Sequence, residues 1–262
     1  MKEKSDRMSD MIEAVLLAGG LNKGRLSECT TEKWEAMIDI NGHPMAAYVI
    51  KALLDSGRIS KVVISGPGEL EGALADFGGR VELVKPGENL LDSLMNALDR
   101  TTGEKVLIGT ADIPLINGEA IRDMVERCEA DVAEVYYALV MKDDYEKSYP
   151  GGKRTYVNLK DGVLTGANIF MASKEALLAR KKVIKDMYDR RKNPLAMAAA
   201  LGIGPIMILK FLLGLVSVAD IEKVARRSFG LEGRGIKTPY ASIAMDVDKP
   251  SDLELAKENA VW

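Results

Sequence analysis

The sequence predicts an α/β fold in which a mostly parallel sheet is covered by helices on both faces. Two observations carry this. Between residues 13 and 140, short apolar runs of strand length alternate with stretches of helical spacing. The runs are near-continuous in Val, Ile and Leu, the signature of strands buried on both sides. The chain has 262 residues, 47% of them apolar, enough for a sizeable core in one large domain or two small ones.

The elements follow in order. Glu13 to Leu17 is a strand with a glycine pair behind it. Pro44 to Ser56 carries apolar residues at Ala47, Val49, Ile50, Leu53 and Leu54, a helical spacing, and Pro44 suits a first turn. Lys61 to Ser65 is the next strand, closed by Gly66-Pro67-Gly68. Glu69 to Phe77 is expected as a helix, Val81 to Val84 as a strand, and Leu90 to Leu98 as a helix. Lys105 to Gly109 is a fourth strand, Gly118 to Cys128 a helix, and Val132 to Val140 a longer strand.

After Met141 the alternation stops. Lys142 to Arg154 reads as a loop, and Tyr156 to Met171 as two short strands around Asp161-Gly162. Ser173 caps a charged helix to Arg191. A helical insert follows at about 191–229, within a single domain spanning 1–262. Its apolar stretch, Leu195 to Val218, holds one charge, Lys210, but Gly202-Ile203-Gly204-Pro205 divides it into pieces too short to span a bilayer. A soluble helical insert is therefore expected, with membrane contact through Leu195–Val218 as the alternative, and the insert suits an oligomer contact between copies of the chain or an apolar wall beside an acceptor site. Ser217 and Asp220 open an amphipathic helix to Phe229. Ala241 to Val247 is expected as a strand, and Ser251 to Asn259 as a helix with Ser251 and Glu254 as its capping box.

Composition excludes several chemistries. The net charge is −3, from 36 basic and 39 acidic side chains, which argues against a nucleic-acid binder. Two cysteines, Cys29 and Cys128, are too few for a disulfide framework or a four-cysteine zinc site. The charged start MKEKSDRMSDMIE has no apolar signal region, and with so few cysteines the expected compartment is the cytoplasm. The only histidine, His43, rules out two-histidine metal motifs and sits in a turn, where it reads as a surface residue. Chemistry is left to Asp, Glu, Lys, Arg and backbone amides.

Three constellations fit that chemistry. In Leu17-Ala18-Gly19-Gly20-Leu21-Asn22-Lys23-Gly24-Arg25, with Lys33 beyond, glycines open the backbone to an anion and basic residues offset its charge. The loop matches neither G-x-x-x-x-G-K-[ST] nor G-x-G-x-x-G, and it reads equally as a plain β-α loop. Asp112, just past a buried strand, is placed to hold Mg²⁺ or to cap a turn. Asp246 and Asp248, two apart, point to one side of an extended chain, and either is able to pair with Asp112. Weaker candidates are Asn89 and Ser93, for a base or ribose or as a helix cap, and Asn168, for an acceptor or a turn.

The order of these pieces resembles the MobA-like nucleotidyltransferases. Leu17-Ala18-Gly19-Gly20, a basic loop, Lys33 and then Gly42-His43-Pro44 resemble their opening. Asp112-Ile113-Pro114 resembles their metal-binding Asp-x-Pro, and Asp246 to Leu253 their closing segment. The resemblance implies a Rossmann-like three-layer α/β/α sandwich. It implies that Leu17, Ala18, Gly19 and Gly20 line the base and phosphates and that catalytic Arg25 and Lys33 hold the triphosphate. Beside these, Lys23, Asn89 and Ser93 stand as further nucleotide-binding candidates and Asn168 as the acceptor-binding one. It further implies Mg²⁺ on Asp112 with Asp248 or Asp246. The loop departs from the family at Asn22-Lys23-Gly24-Arg25, and Lys33 lacks the usual Lys-x-Leu continuation, which leaves open which cation meets which phosphate. The implied activity is transfer of a nucleoside monophosphate from a triphosphate to a small phosphate-bearing acceptor, with release of pyrophosphate. The alternatives are a glycosyltransferase of the same fold with a nucleotide-sugar donor, and a non-catalytic nucleotide-binding protein.

Overall fold

A computed structural model describes residues 11–190 and 202–262. The expected helical piece Leu195–Leu201 lies outside these residues. Ten strands are described: β1 (Ile12–Leu17), β2 (Asp39–Ile40), β3 (His43–Pro44), β4 (Ile59–Ser65), β5 (Val81–Val84), β6 (Lys105–Thr110), β7 (Val135–Met141), β8 (Val157–Leu159), β9 (Gly162–Ser173) and β10 (Gly233–Thr238). The helices are α1 (Met45–Asp55), α2 (Glu71–Leu74), α3 (Leu90–Leu98), α4 (Gly118–Glu129), α5 (Lys142–Ser148), α6 (Lys174–Ala179), α7 (Lys181–Arg190), α8 (Pro205–Leu212), α9 (Val218–Phe229) and α10 (Pro250–Asn259).

The main sheet runs β10-β7-β9-β6-β1-β4-β5, with β8 paired to β9. β9 alone runs against the other strands. Side-chain alternation along the strands builds three layers. Ala14, Leu16, Val62, Ile64 and Leu107 face one core with α1 and α4, while Val15, Val63, Val106 and Ile108 face another with α3. From β1 the chain winds outward through β4 and β5, then returns to add β6 on the other side of β1. Loops leaving β1 and β6 at their carboxyl ends therefore diverge, and a crevice opens between them.

Several elements differ from expectation. The helix expected at Glu69–Phe77 is one turn, α2, between 3₁₀ segments, because Gly72, Gly78 and Gly79 weaken it and Gly78 takes φ of 62°. Lys142–Ser148 is a helix rather than loop. Its one buried side chain, Tyr145, anchors it in the main core. The single helix expected after Ser173 is two, α6 and α7, with Ser173 capping the first by accepting from the Ala176 amide. They part at Arg180, whose guanidinium donates to the carbonyls of Ala176 and Phe229. Ala241–Val247 is a 3₁₀ turn and an extended segment, and the edge strand is the preceding β10. α10 begins at Pro250, so Ser251 is not its cap. Buried Asp252 instead accepts from the Asp248 amide at 3.2 Å and from Lys249 Nζ at 2.5 Å.

Asn41 (φ 52°) and Gly42 (φ 92°) make the tight turn joining β2 to β3. His43 then stacks on Trp262, with ring centroids 3.6 Å apart. Ser217 and Asp220 form the expected capping box of α9, which ends at Gly230 in the left-handed conformation. Among the described residues, no helix is long and apolar enough to cross a membrane.

The turn from β5 into α3 is tightly packed. A Cβ at Gly87 would lie 2.6 Å from the Ser93 amide nitrogen. Gly87→Ala should displace the start of α3 and lower stability by about 1–3 kcal/mol in urea unfolding. An unchanged midpoint would mean that the turn has slack.

Candidate functional site

The crevice at the carboxyl ends of β1 and β6 is a cleft of about 320 Å³. The end of β1 supplies one wall with Leu17, Ala18, Gly19 and Gly20. Here the chain peels off the sheet. The Ala18 amide still donates to Ser65 O at 2.8 Å, and the Ala111 amide to Leu17 O at 3.0 Å. The glycines are packing requirements, since a Cβ at Gly19 would lie 2.8 Å from Pro86 and one at Gly20 would lie 2.9 Å from Glu35 Oε2. The turn before α3 supplies a second wall. Asn89 caps α3, accepting from the Asp92 amide at 3.0 Å, and Ser93 Oγ accepts from the Gly87 amide at 2.9 Å. Both line the cleft, beside a helix N-terminus that favours an anion.

The floor is acidic. Asp112 leaves the end of β6, and its carbonyl accepts from the Val247 amide at 2.8 Å, which ties the Asp246–Asp248 segment beside it. Asn168, on β9, bridges two carboxylates. Its Nδ2 donates to Asp112 Oδ1 at 3.2 Å and to Asp246 Oδ2 at 3.3 Å. Thr110 Oγ1 donates to Asp112, and Arg154 pairs with Asp246 while donating to Gly166 O at 3.2 Å. Burial, and then the charges of Asp246 and Asp248, push the Asp112 carboxyl up to about 6, against the pull of its hydrogen bonds from Thr110 and Asn168. Glu35 is raised by burial and then by Asp112 and Asp248. Asp248 is raised by burial and then by Asp246 and Asp252. No three His, Cys, Asp or Glu side chains among the described residues form a ready-made cage for a metal. One or two carboxylates completed by phosphate oxygens and water are what Mg²⁺ ordinarily takes.

Asp112, Asp246 and Asp248 thus fall together, and Asp112 lines the cleft with Leu17 to Gly20, Asn89 and Ser93. Asn168 spends its amide holding the carboxylates. The basic loop is placed differently. Lys23 and Lys33 line a separate hollow of about 510 Å³ formed by their own loop, and exposed Arg25 lies on the 3₁₀ turn Arg25–Glu28 outside the cleft. The reason is local: the loop closes on itself. The Asn22 amide donates to Lys33 O at 2.9 Å, Leu21 bridges Trp34, and Leu26 plugs a small core with Ile38, Met45 and Tyr48. Lys33 lies over the Trp34 ring, 4.8 Å from its centroid. The charged side chains that do line the cleft are Glu35, Glu88 and Asp112. His43 is outside it, as expected. Glu35 and Arg154 are the residues that sequence reasoning missed. Glu35 had a faint signal, as the acidic residue opening the buried run 36–40, whereas Arg154 lay in a stretch with no pattern of its own.

Comparison with known proteins follows the same lines. The family model of the MobA-like NTP transferase domain matches residues 14–197. The chain is 28% identical over 123 residues to 2-C-methyl-D-erythritol 4-phosphate cytidylyltransferase of Clostridium beijerinckii, covering 44% of this chain and 53% of that protein. It is 33% identical over 108 residues to 2-phospho-L-lactate guanylyltransferase of Methanococcoides burtonii, covering 41% and 46%. The chain thus spans about half the length of these curated relatives. A hypothetical transferase from Thermus thermophilus has the same fold, with a TM-score of 0.80 at 32% identity over 93% of this chain and 99% of that one. CMP:2-keto-3-deoxy-manno-octonic acid synthetase complexed with CTP shares the fold at a TM-score of 0.59 and 14% identity, over 95% and 97% of the two chains.

The raised carboxyl of Asp112 has a sign that can be tested. Its pKa is above the ordinary 3.8, so the folded chain holds this proton more tightly than the unfolded chain does. Stability therefore falls as pH climbs from about 4 through about 6, and the cost is full above that. Asp112→Asn should be more stable than the parent at neutral pH by about 1–3 kcal/mol. In denaturant titrations the difference should vanish near pH 4 or about there. A variant less stable at neutral pH would show that Asp112 is held by its donors more than it is strained by its neighbours.

Proposed function

Because the chain belongs to the MobA-like NTP transferase family, we propose that it is a Mg²⁺-dependent nucleotidyltransferase acting on a nucleoside triphosphate and a small phosphate-bearing acceptor. The observation that carries the proposal is the Asn168 bridge between Asp112 and Asp246, facing the glycine turn of β1 where the strand order reverses. An acceptor oxygen attacks the α-phosphorus, the bond to the β-phosphate oxygen breaks, and pyrophosphate leaves. A phosphate acceptor is already ionised at neutral pH, so alignment and charge neutralisation matter more than a strong base. That suits a chain whose lone histidine lies elsewhere.

The donor set fits a divalent cation. Asp112 with Asp246 or Asp248 would hold Mg²⁺, because like-charged carboxylates with raised pKa values are relieved by a cation among them. When bound, the ion supplies charge neutralisation to the phosphate oxygens and orients them. The chain's own residues do the rest. The backbone from Leu17 to Gly20 and the N-terminus of α3 receive the base and phosphates. Asn168 and Thr110 aim the carboxylates, and Arg154 brings positive charge beside Asp246. Lys23, Arg25 and Lys33 would meet the triphosphate only if their loop turned inward on binding.

A thermal-shift screen of the common ribonucleoside triphosphates with Mg²⁺ tests the binding half. At about 100 times its dissociation constant, the preferred nucleotide should add about 2.7 kcal/mol. Asp112→Ala should keep the fold and lose metal-dependent pyrophosphate release by about a hundredfold or more. Full activity in that variant would sink the metal assignment. Nucleoside diphosphate release from a nucleotide sugar would favour the glycosyltransferase reading. Tight binding without turnover over a broad panel of acceptors would favour a sensor.

A further inference from the structure

The last third of the chain carries an apolar helix that the transfer chemistry does not use. On α8, Ile206, Leu209, Leu212 and Leu213 are 75%, 58%, 75% and 61% exposed. Their spacing puts them on one stripe of the helix, with Leu215 exposed in the turn that follows. Its other side is anchored, since Met207 packs against Leu159, Leu164 and Val216. Residues 205–229, which hold α8 and α9, carry four Lys and Arg against two Asp and Glu in a chain whose net charge is −3. Lys210, Lys223, Arg226 and Arg227 of this set are exposed on α8 and α9.

Beneath lies a cavity of about 480 Å³ between α9 and the sheet. Tyr137, Leu139, Val157, Leu164, Val218 and Ile221 give it an apolar lining. Leu139, Val157, Leu164 and Val218 also belong to the cluster on which Met207 anchors α8, so the cavity borders the buried side of that helix. At its Gly166 end the cavity is linked to the acidic floor through Arg154. Thr165 and Gly166 line it, the Tyr137 ring lies against Gly166, and the Gly166 carbonyl takes the Arg154 guanidinium that pairs with Asp246.

We propose that this face seats the protein on an anionic lipid bilayer, with α8 lying in the interface, and that the cavity receives the apolar body of an acceptor drawn from that bilayer. Eight residues of helix reach about 12 Å, which suits lying in the interface and not spanning it. The charge selects the partner. A like face on a second copy would set Lys210, Lys223, Arg226 and Arg227 against their own counterparts, whereas an anionic surface attracts each basic side chain. Seating on the bilayer stands apart from the transfer chemistry. That the cavity's occupant is the acceptor rests on the function proposed above.

Two measurements without turnover test it. In co-sedimentation, the protein should pellet with vesicles of one part phosphatidylglycerol to two parts phosphatidylcholine, and far less with phosphatidylcholine alone or in high salt. Leu209→Glu with Leu212→Glu, both at exposed positions, should cut that binding about tenfold or more while leaving the melting curve and the nucleotide-induced thermal shift unchanged. In calorimetry, decyl phosphate should bind about tenfold or more tightly than ethyl phosphate. Ala225→Phe, which fills the cavity, and Ile221→Asp, which puts a charge at its lining, should each remove that preference. Failure to pellet with anionic vesicles overturns the bilayer contact. So does a dimer that Leu209→Glu dissociates, since the face would then join two copies. Equal affinity for the two phosphates overturns the cavity assignment. Loss of pyrophosphate release with both results intact would count against the transfer reading alone.

Discussion

Holding like charges together is the constraint on which the carboxyl end of the sheet depends. Burial, and then the neighbouring carboxylates, raise the proton affinity of Asp112, Glu35 and Asp248. Left alone, such a cluster would push its segments apart or fill with water. Two side chains and one backbone bond oppose this. Asn168 donates to two carboxylates with one amide, Arg154 sets a guanidinium against Asp246, and the Val247 amide fastens the closing segment to the Asp112 carbonyl. Asn168 reaches both acids because β9 runs antiparallel between β6 and β7, beside the strand that delivers Asp112. The one reversed strand is thus what lets the second half of the chain complete a site begun by the first.

Legibility in the sequence followed how much of each element's stability is local. β1, β4 and β6 were readable because a strand buried on both faces must be largely apolar, and their alternation with α1, α3 and α4 fixed a parallel sheet. β10 was not. Gly233-Arg234-Gly235-Ile236-Lys237-Thr238 contains two glycines and two cations, and its strand state is imposed by β7, its one sheet neighbour. α5 escaped for the same reason, since its sequence is polar and Tyr145 alone anchors it in the core. Tertiary packing decided both.

The site divides along the same line. Asp112, Asp246 and Asp248 were legible because the end of a buried strand fixes where a residue sits. Lys23, Arg25 and Lys33 were close in sequence to the glycine turn, but closeness in sequence does not set direction. Leu26 and the Leu21–Trp34 bridge fold their loop outward, and Glu35, just after the bridge, enters the cleft in their place. An acidic lining with the cations held outside is unfavourable for a triphosphate by itself and favourable for one that arrives with a divalent cation. The departures of this loop from the family pattern therefore have a structural consequence: its cations lie outside the cleft, and in the function proposed above neutralisation would fall to the divalent cation.

Charge is also segregated along the chain, and that segregation joins the site to the surface. With +8 in residues 174–237, the remainder carries −11. The acidic part includes the carboxylates of the cleft, and the basic part carries α8 and α9. A uniformly mixed surface would orient the molecule toward nothing in particular, whereas here exposed Lys210, Lys223, Arg226 and Arg227 sit on the two helices α8 and α9, the first of which carries the apolar stripe. Near an anionic layer these cations would draw the face inward before any apolar contact forms, and the stripe would then add short-range attraction. Either term alone is weak, since an eight-residue helix buries little and screened charge holds loosely. Acting on one face, they add, and Gly166 at the edge of the cavity takes the Arg154 guanidinium that holds Asp246.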